Sequence, residues 1–61
     1  MNKLLYYKDF TGVFTWDNEG NVYYGHVIGI RDTITFEADT LEGIEKEFHN
    51  SVDDYLEFIK E

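Results

Sequence analysis

Residues 10–30, FTGVFTWDNEGNVYYGHVIGI, decide the fold. From Phe10 to Asp17 the chain alternates: Phe10, Gly12, Phe14 and Trp16 fall on one side, Thr11, Val13, Thr15 and Asp17 on the other. Period two in a run of β-branched and aromatic residues is the pattern of a half-buried strand. The stretch Asp17-Asn18-Glu19-Gly20-Asn21 then supplies residue types that tolerate positive φ, as tight turns require. Residues 22–30 alternate again, with Tyr23, Gly25, Val27 and Gly29 opposite Tyr24, His26, Ile28 and Ile30. Two such runs around such a turn predict a β-hairpin.

Working outward, Arg31-Asp32 reads as a second short connection and residues 33–38 as a third strand, with Ile34, Phe36 and Ala38 on one face. Asp39 and Thr40 open a helix, because both side chains accept a hydrogen bond from the unpaired amides of a first turn. Asp39 with Glu42 has capping-box spacing, and Thr40 is the competing cap. The helix runs to the end of the chain. Its apolar stripe is Leu41, Ile44, Phe48, Val52, Tyr55, Leu56 and Ile59, at spacings of three and four. Gly43 in its first turn costs about 1 kcal/mol relative to Ala. The expected fold class is therefore α+β: a three-stranded antiparallel sheet with one C-terminal helix packed on one face, in the order βββα.

The helix should cover the face carrying Phe10, Phe14, Trp16, Phe36 and Ala38, with Gly12 and Gly25 beneath it to allow close approach. One helix covers one face only. The other mixes Val13, Tyr24, His26 and Ile28 with threonines, and is more apolar than a purely solvated face. It and the strand edges are the candidate contact surfaces. Scattered apolar residues are normal on a wet face, so burial needs must tip the balance.

At 61 residues the chain is one domain, 1–61, without proline, repeat or linker. So short a chain buries only roughly 60% of its unfolded surface. The absence of cysteine rules out disulfides and thiolate metal sites, and two distant histidines do not suggest zinc. Self-association is then the expected source of further burial, and a homodimer the expected state. Thirteen acidic residues against five basic ones give a net charge of −8. That balance disfavours direct binding of nucleic acid or of an anionic membrane. It suits either plain solubility or a basic partner steered by opposite charge. No span long enough for a membrane and no signal peptide is legible, which points to the cytoplasm.

No constellation for catalysis stands out, and neither a cofactor nor a metal is implied. Gly25 and Gly29 lie within a strand, not before a helix, so they form no phosphate loop. Ser51 and His49 are two apart on a helix and do not face one another. His26 reads as an ordinary surface histidine. His49 and Asp53, four apart, read as a weak surface contact. Asp53 and Asp54 point about 100° apart, as a solvated face would. A metal-dependent hydrolase would need several carboxylates, such as Asp9, Asp17, Asp39 and Asp53, to converge.

Four segments in order resemble the HicB antitoxin family. They are Tyr7-Lys8-x-Phe10-x-Gly12, the run from Val22 to Ile30 with its Tyr-Gly-x-Val-x-Gly-Ile core, Ile34-Thr35-Phe36-Glu37-Ala38-Asp39-Thr40, and Val52-Asp53-Asp54-Tyr55-Leu56. The resemblance implies a partial ribonuclease-H-like fold, used to bind and block a small basic HicA-type ribonuclease toxin. The family has no catalytic residues to carry over. Its C-terminal DNA-binding segment has no counterpart before Glu61, so autoregulation by this chain is not expected. Gly43 departs from the family pattern. The candidate partner-binding residues are Glu37, Asp53, Asp54 and Glu57, with Tyr24, His26 and Ile28 on the open face. The alternative is a self-associating structural domain without a toxin partner.

Overall fold

The computed structural model describes residues 3–60. Four strands and a helix follow in order: β1 (Lys3–Tyr7), β2 (Phe10–Asp17), β3 (Val22–Ile28), β4 (Thr35–Ala38) and α1 (Leu41–Lys60). The strands form one antiparallel meander in the order β1-β2-β3-β4. The α+β class with one C-terminal helix stands, but the expected three-stranded sheet is corrected to four strands.

The additional strand is β1, and its sequence explains why periodicity did not reveal it. Leu4-Leu5-Tyr6-Tyr7 places apolar side chains on both faces, so no alternation shows. The β1–β2 turn is Lys8-Asp9, between the paired residues Tyr7 and Phe10. Both turn residues have positive φ, 49° and 69°, the requirement of the two-residue hairpin turn that Asn-Gly usually fills. Lys-Asp gives no such signal.

The second turn is the one the sequence announces. Asp17 pairs with Val22, the Asp17 side chain accepts a hydrogen bond from the Glu19 amide at 3.1 Å, and Asn21 takes φ 52°. The third and fourth strands are shorter than expected. Gly29, at φ 79°, leaves the strand after Ile28, and pairing resumes at Thr35. The Val27 amide still donates to the Ile34 carbonyl at 3.0 Å, holding the loop against the sheet.

Thr40 is the N-cap of α1: its hydroxyl accepts from the Gly43 amide at 2.9 Å. Asp39 lies outside the helix, so the Asp39–Glu42 box is not formed. α1 packs on one sheet face through Ile44, Phe48 and Val52, all essentially inaccessible, against Phe14, Val27 and Phe36. Leu5, Tyr7, Phe10 and Tyr23 pack around this cluster. The expected stripe holds in its middle and fails at its ends. Leu41 and Ile59 are exposed, while Tyr55 and Leu56 are half-buried. At about 30 Å, α1 is much longer than the five- and four-residue strands at the sheet edges, so its ends have little sheet beneath them. Trp16 is on the helix side but at the end of β2, packed edge-on to Tyr23 and partly exposed. No described helix is long and apolar enough to cross a membrane.

Candidate interaction surface

Antiparallel pairing fixes which side chains share the face away from α1, because residues directly opposite one another point the same way. Four cross-strand rows result: Tyr6–Thr11–Ile28, Leu4–Val13–His26–Thr35, Thr15–Tyr24–Glu37 and Asp17–Val22. Tyr6 is 70% exposed, and Leu4, Tyr24 and Ile28 are each between 40% and 52% exposed. No described residue covers them. Among the described residues the face holds two carboxylates, Glu37 on edge strand β4 and Asp17 at the turn end of β2, and no Lys or Arg.

Of the seven candidate contact residues, Tyr24, His26, Ile28 and Glu37 lie together on this face. Asp53, Asp54 and Glu57 lie on α1, which packs on the opposite face. The two groups are not one site. Leu4 and Tyr6, the most exposed apolar residues of the patch, were missed with β1. Their only sequence signal is the double Leu-Leu-Tyr-Tyr run.

Asp53 is not the freely solvated carboxylate its position suggests. Lys8 Nζ donates to its Oδ1 at 2.9 Å, and the Tyr7 hydroxyl reaches both carboxylate oxygens at 3.2 Å. Tyr7 also stacks on His49 with ring centroids 4.0 Å apart and planes 15° from parallel, and Lys8 Nζ sits 5.1 Å from the Tyr7 ring. Asp53 therefore belongs to a clasp that ties the β1–β2 turn to the middle of α1. The Lys8 hydrogen bond, reinforced by that of Tyr7, holds the Asp53 carboxyl below the ordinary carboxylate value. The same bond to Asp53 holds the Lys8 ammonium above its ordinary value. His49 stacks on Tyr7 instead of making the expected contact with Asp53 alone.

The remaining acidity is one-sided. α1 presents Glu42, Glu45, Glu47, Asp54 and Glu57 to solvent against Lys46 and Lys60. An open cleft beside Lys8 runs along Asp53, Leu56, Glu57 and Ile59. Among the described residues no three His, Asp or Glu side chains converge as a metal site would require. No protein-family model, curated protein or solved structure matches the chain.

Proposed function

We propose that this chain is a protein-binding module of the antitoxin kind, neutralising a small basic HicA-type mRNA-cleaving toxin in the cytoplasm by covering its RNA-binding surface. One observation carries this reading: the molecule has two unlike sides, an acidic helix and a nearly uncharged, apolar sheet face. A basic partner is attracted to the first, through Asp54 and Glu57, with long-range steering from the net charge of −8. Asp53, paired with Lys8 at 2.9 Å, adds little net charge to that attraction.

The four segments that resemble HicB support the assignment of the partner. They fall on the β1–β2 hairpin, on β3, across β4 to the N-cap of α1, and on the second half of α1, so the resemblance spans the fold. The partial ribonuclease-H-like relation belongs to the same proposal. In this reading the chain performs no chemistry and binds neither nucleic acid nor membrane directly.

The test is light scattering after gel filtration, with the chain alone and mixed with a purified HicA-type toxin. A mixed complex that weakens with salt and in Asp54→Lys/Glu57→Lys supports the reading. The absence of any complex at low salt removes it. The rival, a self-associating domain without a toxin, draws on the sheet face, whose charges lie only at its rim.

A further inference from the structure

We infer that the open sheet face is the homodimer interface of this protein: two copies stack face to face through Leu4, Tyr6, Val13, Tyr24 and Ile28. The inference rests on the binding-module reading only in keeping the acidic helix free for another partner.

Three observations select a second copy as the occupant. The first is charge. Each chain carries −8, so two copies repel through most of their surfaces. The rows Tyr6–Thr11–Ile28, Leu4–Val13–His26–Thr35, Thr15–Tyr24–Glu37 and Asp17–Val22 hold two carboxylates, Glu37 at the β4 edge and Asp17 at the turn end of β2, both at the rim. This face can meet itself without opposing like charges across its centre, whereas α1 cannot. A two-fold interface must be self-complementary, and a face charged only at its rim meets that condition.

The second is composition. Interface cores are enriched in aromatic residues and depleted in Lys, Glu and Asp. Tyr6 and Tyr24 flank this patch, and it lacks Lys and Arg altogether. The threonines and His26 supply polar groups that interfacial water can satisfy.

The third is size and need. The strands are staggered, and their 24 residues, each taking about 3.3 by 4.8 Å of sheet, make a face of about 380 Å². With side-chain relief, two such faces bury on the order of 1,000 Å², the lower bound for a specific interface. Among the described residues the buried cluster is six apolar side chains, and the sequence has no cysteine to staple it. Stacking a second sheet gives the outer face the packed layer it lacks, as in any sandwich. An interface at this lower bound belongs with the weak, reversible associations.

Sedimentation equilibrium of the full chain, from low micromolar to millimolar, tests this without any partner. The expected result is a reversible monomer–dimer equilibrium, weakened at least tenfold by Ile28→Glu and separately by Tyr6→Glu. Tyr6 is the more exposed of the two, so its variant keeps the test valid if Ile28→Glu unfolds, as judged by circular dichroism. Phe58→Glu, at an exposed position near the end of α1, should leave the dimer intact. A chain that stays monomeric at millimolar concentration overturns the inference. So does a dimer lost in Phe58→Glu but kept in both sheet variants. Toxin binding by a strictly monomeric chain sinks the dimer and leaves the proposed function standing. A dimer that ignores the toxin does the reverse.

Discussion

The ring of Phe48 lies directly over Gly12: a Cβ added at that glycine would stand 2.9 Å from the ring's Cε1. This contact sets how closely α1 can approach the middle of the sheet. Gly25, on the neighbouring strand, is tighter still. Its Cβ would come 2.4 Å from the Val13 carbonyl oxygen and 2.8 Å from both Phe14 Cβ and the Phe36 ring. The sheet is thin at two points so that Phe36 and Phe48 can meet above it, with ring centroids 5.4 Å apart.

Gly25→Ala should therefore destabilise more than Gly12→Ala. At Gly25 the obstacle is backbone, which cannot swing away; at Gly12 it is ring atoms that can shift slightly. Overpacking of this kind costs about 1–3 kcal/mol. Urea midpoints of the two variants should order as wild type, Gly12→Ala, Gly25→Ala. The reverse order of the two variants would show that the backbone at Gly25 gives more readily than the packed rings.

Phe48→Ala and Phe58→Ala remove the same side chain from opposite environments. Phe48 is fully buried and Phe58 is 74% exposed. A buried Phe→Ala change costs about 3–5 kcal/mol. A chain of this length has only roughly 3–9 kcal/mol to lose. Phe48→Ala should be largely unfolded at room temperature by circular dichroism. Phe58→Ala should remain within about 0.5 kcal/mol of wild type.

Thr40→Ala removes the hydroxyl that caps the Gly43 amide. The loss should be about 0.5–2 kcal/mol, read as a lower thermal midpoint. Asp39→Ala should change the midpoint far less, since Asp39 makes no capping contact. Equal effects would put the cap at the wrong residue.

The clasp predicts a specific pH dependence. The Asp53 carboxyl is held below its ordinary value near 3.8 in the folded chain. Its contribution is thus present above that value and is lost as pH falls below it, through the lower folded value. Lys8 is shifted the other way, above 10.5, so its contribution is complete below that value and is lost as pH rises beyond it. Asp53→Asn should flatten the acid limb of a stability–pH curve and the extreme alkaline limb together. Both groups are about half exposed, so the effect should be modest and should shrink in high salt. An acid limb unchanged in Asp53→Asn would assign acid sensitivity to other carboxylates.

Much of the fold was legible because periodicity is a local record of which residues share a face. The alternation from Phe10 to Asp17 marked β2 to the residue, the three- and four-residue spacing marked the middle of α1, and the glycines under the helix were identifiable from their place in that alternation. Local chemistry also narrowed the helix start to two candidates, Asp39 and Thr40.

Three things were decided only when the chain closed on itself. β1 is a strand because Leu5 and Tyr7 find β2 and α1 on one side, while Leu4 and Tyr6 are left bare on the other; a segment apolar on both faces carries no period to read. Asp53 became a clasp residue because the positive-φ turn at Lys8 and Asp9 brings Lys8 to it from 45 positions away, a contact that helical spacing cannot contain. Lastly, the candidate residues separated into two groups on opposite sides. Sequence spacing fixes neighbours within one strand or one helix turn, but the relation between a sheet face and a helix face is set by which one buries its apolar side against the other.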